Sequence, residues 1–263
     1  MRDDMLQETY LRWIKIALEE VKSPKSYLSS ITTRLCIDYL RSARVKREHY
    51  IGSWLPEPLI TQESESTDLV ELTDSLSMAF LVMLERLSPT ERAVFLLREV
   101  FGYNYTEISN IVDKKAANCR QIFKRARHNL KQSERFPITT QQQKNIVEQF
   151  LQAWISGDLQ SLLALMTSDI TWCSDGGGKV KAALKPLCGS MKVARFLIAI
   201  RQNKIIPTFT SHICNINGNP GIINYTETKP QSVFSFEFKV SGDRIFIQNV
   251  FAILNPEKLK WIT

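Results

Sequence analysis

The 263-residue chain is 44% hydrophobic and 23% charged, a globular balance, and its length is that of two or three domains. No apolar run approaches the ~18 residues needed to cross a membrane, and the Asp3-Asp4 start fits neither a signal nor a transit peptide, so a cytoplasmic location is expected. Five scattered cysteines without a C-x-x-C pair, and three histidines, exclude a disulfide framework and a zinc ribbon; neither metal nor cofactor is expected. The net charge of +7 is uneven: residues 101–135 carry eight Lys/Arg against three Asp/Glu, and residues 51–100 carry three against nine. From Lys114 to Lys131 there is no acid at all. A merely solvated helix face mixes both signs, so this run points to a polyanionic partner.

Residues 5–21 place Leu6, Tyr10, Trp13, Ile14, Ala17 and Val21 at helical spacing, which predicts a helix with that stripe buried. Ser23-Pro24 supplies a cap and a first-turn proline for a second helix, with Leu28, Ile31, Leu35, Tyr39 and Leu40 inward and Arg34, Arg41, Arg44, Lys46 and Arg47 toward its basic end. Residues 52–68, with two prolines and then a polar, acidic run, read as a linker. Helical periodicity returns from Leu69 to Leu87.

Ser88-Pro89-Thr90-Glu91 is a capping box with proline at the first helical position, so a helix starts there and runs toward Val100. A shorter helix, Tyr105 to Val112, follows, and after Asp113-Lys114-Lys115 a third puts Cys119, Ile122, Phe123, Ala126 and Leu130 on one face. Asn118, Gln121 and Arg125 share another. Two helices, a tight turn and a basic second helix with amides at its start form a helix-turn-helix. Asn and Gln can pair with adenine edges and Lys and Arg with guanine or phosphate, which suits the major groove.

From Ile138 the composition changes. Helices are predicted over 142–156, stopped by Gly157-Asp158, and over Leu159–Met166. Strands follow: Phe234, Phe236, Phe238 and Val240 alternate with Ser235, Glu237 and Lys239 as in a half-buried strand, Ser241-Gly242-Asp243 turns into another at 244–254, and Asn217–Gly221 marks a further turn. The pattern is helices first, then a curved antiparallel sheet.

The stretch 84–130 closely resembles region 4 of the extracytoplasmic-function sigma factors of bacterial RNA polymerase, and residues 5–50 resemble their region 2. "WLPEP" (54–58), "DGGGK" (175–179) and "NPEKL" (255–259) are similar to the subgroup with a C-terminal SnoaL-like extension, of the nuclear-transport-factor-2-like fold. The fold class implied is two all-α sigma modules followed by an α+β cone. Its domains are region 2 over 1–50, a linker over 51–67, region 4 over 68–135 and the SnoaL-like domain over 136–263. In the family another helix precedes the one at Met5, so the sequence is expected to begin inside region 2.

The resemblance implies partners and roles. The partners are core RNA polymerase and promoter DNA, with no membrane and no cofactor; any ligand of the cone is left open. Asp4, Gln7, Glu8, Leu11 and Trp13 match the part that docks on the core enzyme. Tyr27, Arg34, Asp38, Arg41 and Arg44 match the reader of the −10 element; basic residues can track the backbone there while an aromatic holds an unstacked base. Lys114, Lys115, Asn118, Gln121, Lys124 and Arg125 match the −35 reader.

The loop Asp175-Gly176-Gly177-Gly178-Lys179 is not a phosphate loop, since Val180 follows the lysine where a metal-binding hydroxyl is needed and the glycines are contiguous. It matches the subgroup's regulatory motif, implied to contact the sigma modules or the linker residues Trp54, Leu55, Pro56, Glu57 and Pro58. Asp175 and Lys179 can pair with each other across the turn or with a partner; the alternative is a loose loop beside a strand. Two other functions stay open on the residues: a stand-alone helix-turn-helix regulator with a ligand-sensing C-terminal domain, and a cone enzyme using Asp175 or Asp169. The acidic N-terminal helix argues against the first. No second polar group placed to hold an oxyanion argues against the second, so no catalysis is expected.

Overall fold

The computed structural model describes residues 2–16, 21, 23–47, 50–61, 77–130, 138–202 and 209–262. They divide into two compact units, one from residues 1–49 and 83–132, the other from 50–82 and 133–263. In chain order the helices are α1 (Arg2–Trp13), α2 (Pro24–Arg47), α3 (Met78–Leu84), α4 (Pro89–Glu99), α5 (Tyr105–Val112), α6 (Ala116–Asn129), α7 (Thr140–Ser156), α8 (Leu159–Leu165), α9 (Ser190–Gln202) and α10 (Pro256–Leu259). The strands are β1 (Met166–Asp175), β2 (Leu187–Cys188), β3 (Thr210–Ile216), β4 (Asn219–Thr226), β5 (Lys229–Ser241) and β6 (Arg244–Ile253).

In the first unit α2 packs against α1, α4 and α5. It covers the side of α1 that carries Thr9 and Trp13: the Thr9 and Thr32 hydroxyls are 3.4 Å apart, and the Trp13 and Tyr27 ring centroids 5.9 Å. The expected burial of the apolar stripe is therefore corrected. Leu6, Tyr10 and Ile14 are between 55% and 63% exposed, because α2 docks on the flank of the stripe rather than over it. Ala17 lies outside the described residues.

α4 begins as its sequence requires. Ser88 Oγ accepts the Glu91 N–H at 3.3 Å, and a Glu91 carboxylate oxygen accepts the Ser88 N–H at 3.0 Å. These bonds hold the Glu91 carboxyl below its ordinary value. Its stabilisation is complete above the unfolded value of about 4.3 and is lost as pH falls through the lower folded value. Thermal stability followed in an acid titration should therefore fall more steeply in the wild type than in Glu91→Gln; identical slopes would contradict the cap's contribution. α5 is capped by Asn104, α6 follows the left-handed Asp113 (φ 53°), and Val94, Leu97, Ile108, Ile111, Cys119 and Ile122 form the core between the three helices.

The second unit is one sheet in the order β2-β1-β6-β5-β4-β3. It is not wholly antiparallel: β1 and β6 run parallel, as is possible because the rest of the sheet and α9 lie between them in sequence. α9, an apolar helix, was not anticipated. Side chains alternate between two buried faces. Phe234, Phe236, Val250 and Ala252 join Val147, Phe150, Trp154, Trp172 and Leu197 under the helices. Val233, Phe251 and Ile253 join Ile216, Ile223, Leu55, Met78, Leu259 and Ile262 on the other side. From Ser232 to Phe236 β5 is covered on both faces, because residues of the linker and of α3 and α10 take the face opposite the helices; towards Ser241 it keeps the alternation of a half-buried strand, with Lys239 exposed.

Candidate functional site

The DGGGK loop continues β1 and closes on the linker. Asp175 is 0% exposed, and its carboxylate accepts four hydrogen bonds. Oδ1 takes the Tyr50 hydroxyl at 2.5 Å and the Gly177 N–H at 3.1 Å; Oδ2 takes the Leu55 N–H at 2.8 Å and Lys258 Nζ at 2.7 Å. Its carbonyl accepts the Leu254 and Asn255 N–H groups. Lys258 also donates to the Leu55 carbonyl, and its ammonium lies 4.1 Å from the Trp54 ring centroid and 5.3 Å from that of Tyr50. Asn255 Nδ2 donates to the Tyr50 oxygen at 2.9 Å. Burial, and then the bond to Asp175, push the Tyr50 phenol well above its ordinary value, keeping it a donor.

A buried carboxylate is tolerable only when paired and fully hydrogen-bonded, and this one is. Asp175 and Lys179 do not pair across the turn. Asp175 takes Lys258 from the NPEKL motif, and Lys179 pairs with Glu257 of the same motif at the surface. The glycines answer to close approach: a Cβ on Gly176 would lie 2.5 Å from the Val180 carbonyl oxygen, and one on Gly177 2.3 Å from Asn255 Nδ2. Leu55, Pro56 and Pro58 are buried, Trp54 is half-buried, and Glu57 is exposed. Tyr50, Asn255 and Lys258 were not singled out from the sequence as site residues; only the NPEKL motif signalled the last two.

In the first unit, Lys114, Lys115, Asn118, Gln121, Lys124 and Arg125 are all exposed at the start and along the outer face of α6. Arg120 stacks over Tyr105, 5.4 Å from its centroid. On α2, Tyr27 and Arg34 line an open pocket of about 580 Å³ together with Arg12, Lys15 and Ser30. Asp38 and Arg41 form an exposed ion pair at 3.4 Å, and the side chain of Arg44 lies outside the described residues. On α1, Asp4, Gln7 and Leu11 are exposed, Glu8 pairs with Arg12 at 2.8 Å, and Trp13 packs on Tyr27.

Residues 1–45 match the Sigma-70 region 2 family and residues 77–130 the Sigma-70 region 4 family. The chain is 33% identical over 213 residues to the probable ECF RNA polymerase sigma factor SigI of Mycobacterium tuberculosis, covering 80% of this chain and 68% of that protein. It is 29% identical over 250 residues to SigJ of the same organism, covering 87% of this chain and 77% of that one. The crystal structure of SigJ superimposes with a TM-score of 0.73 at 25% identity over 98% of this chain and 89% of SigJ. The chain belongs to the extracytoplasmic-function sigma factors of bacterial RNA polymerase. Its C-terminal domain is of the SnoaL-like, nuclear-transport-factor-2-like kind.

Proposed function

We propose that the chain directs core RNA polymerase to promoters and that its C-terminal domain controls this by gripping the connector between regions 2 and 4. The observation that carries the reading is the Asp175 carboxylate, which binds the connector at Tyr50 and Leu55 while paired to Lys258. With every acceptor site of Asp175 taken, the same geometry speaks for a holding role over an acid–base one.

On the promoter side, α6 enters the major groove, with Gln121 and Asn118 at base edges and Lys124, Arg125 and Arg127 toward phosphates. The pocket at Tyr27 receives an unstacked base of the −10 element, with the aromatic face for stacking and Arg12, Lys15 and Arg34 for the backbone. α1 docks on core polymerase through Asp4, Gln7, Glu8 and Leu11; the uncovered Leu6, Tyr10 and Ile14 add an apolar surface of the kind a partner covers.

The test is promoter-dependent transcription by core polymerase with the full chain and single variants. Gln121→Ala should cost about 1–3 kcal/mol at one −35 position and leave promoters mismatched there unaffected, whereas Arg127→Ala should weaken all promoters alike. Equal losses from both variants on matched and mismatched promoters would remove Gln121 as a base reader. A chain that binds duplex promoter DNA but never engages core polymerase would overturn the initiation role.

A further inference from the structure

Just beyond the Asp175 clamp, the connector meets a separate feature of the same unit. The Leu59 N–H donates to Asn217 Oδ1 at 3.1 Å, and the Leu59 carbonyl accepts the Asn217 N–H at 2.7 Å. Two residues on, the Thr61 N–H donates to the Asn215 carbonyl at 3.0 Å, and Thr61 Oγ1 accepts the Gly218 N–H at 3.1 Å. Ile60 and Ile216 pair between them as an antiparallel bridge. β3 is the last strand on its side of the sheet, so its outer edge needs partners for its amides and carbonyls. Leu59–Thr61 supplies them as a short added strand, the mode by which extended peptides are recognised at sheet edges.

Asn217 is built for this contact. It is 0% exposed and sits at φ 52°, a left-handed conformation that Asn tolerates better than most residues. Its Oδ1 and its backbone N–H both face Leu59, while its Nδ2 is buried with no hydrogen-bond partner among the described residues. A buried amide left half satisfied is costly, which a turn serving only to reverse β3 into β4 would not require.

We infer that the β3 edge and the Asn217 turn form a second docking site whose occupant is Leu59–Thr61 of this chain, and that Asn217 is its recognition residue. The inference rests on the proposed control of the connector by the C-terminal domain. Asp175 holds the connector as far as Leu55, and Met78 is packed in the same unit's core. Among the described residues, the edge site extends the held part of the connector from Leu55 to Thr61. The connector is therefore held by two latches, one ionic and one a strand edge.

Amide hydrogen exchange on the full-length chain, paired with transcription by core polymerase, tests this. Asn217→Gly keeps the positive φ and deletes the Oδ1 that holds Leu59; Thr61→Pro deletes the neighbouring anchor from the connector side, the bonds of Thr61 to the Asn215 carbonyl and the Gly218 N–H, without substituting a residue of the domain. Both should raise exchange at Leu59 at least tenfold, leave the Leu55 amide as in the wild type, and shift transcription in the same direction as Asp175→Asn. Wild-type Leu59 and Thr61 amides exchanging at unprotected rates would overturn the site and leave the edge open to a strand from another molecule. Faster exchange with unchanged transcription, while Asp175→Asn alters it, would overturn the latch role but not the Asp175 reading. Unchanged transcription in all three variants would overturn the control on which the inference rests.

Discussion

Asp175→Asn should release the connector from the C-terminal domain while leaving the sheet folded. The substitution keeps the side chain's shape and the bond from the Leu55 N–H, but it removes the charge that faces Lys258 inside the protein. Both side chains are nearly inaccessible, at 0% and 8% exposed. Breaking such a pair from one side costs about 3–5 kcal/mol, because the remaining charge is buried without compensation. Lys258 can escape this cost only by leaving its place over Trp54 and Tyr50, and in doing so it gives up the Leu55 carbonyl. Limited proteolysis between Tyr50 and Thr61 should accelerate at least tenfold in the variant. A second substitution, Lys258→Met, should recover part of the loss by removing the orphaned ammonium. Equal cleavage rates in wild type and Asp175→Asn would mean that the pair does not hold the connector.

The second large effect is expected at Gly177, which sits at φ 61°. An alanine there takes a left-handed conformation at a cost of roughly 1–2 kcal/mol. Its Cβ also meets Asn255 Nδ2 at 2.3 Å and Asn255 Cγ at 2.6 Å, an overlap of the kind that costs about 1–3 kcal/mol to accommodate. Asn255 cannot move freely: it caps α10 through the Glu257 N–H and donates to Tyr50. Gly177→Ala should therefore mimic Asp175→Asn in proteolysis, while alanine at Gly242, at φ 61° with nothing within 4 Å of the added carbon, should leave the connector's cleavage unchanged. If both alanines behave alike, the loop's glycines serve conformation only and not approach to Asn255.

The helix-turn-helix was legible in the sequence because its signals are local. The capping box at Ser88–Glu91, the break at Asp113 and the stripe Cys119-Ile122-Ala126 each span a few residues, and the structure keeps them all. The clamp was legible only in part. Three contiguous glycines after an aspartate suit a backbone that must pass closely, and Trp54 stands just ahead of two closely spaced prolines. The partner of Asp175 lies 83 residues further on, at Lys258, and the amide it accepts lies 120 residues back, at Leu55. Spacing offered Lys179 as the near cation, but contacts across such separations follow from sheet topology and leave no local trace. The same limit explains the other departures. Period alone identified the stripe on α1 but not which flank α2 covers. The run Val193 to Ile200 in α9 is short and, apart from Arg195, apolar, so its period does not separate helix from strand. The parallel pairing of β1 with β6 depends on where the chain re-enters the sheet, which turn residues do not encode.

In the proposed control, the sigma factor's own C-terminal domain sets its activity by holding the connector between its promoter-reading regions. The most direct measurement is transcription from one matched promoter by core RNA polymerase with the wild-type chain and with Asp175→Asn, side by side at equal occupancy of the polymerase. Specific initiation by both, at rates differing at least tenfold, is the predicted result. Equal rates from the two proteins, with the variant's connector shown by proteolysis to be released, would contradict it.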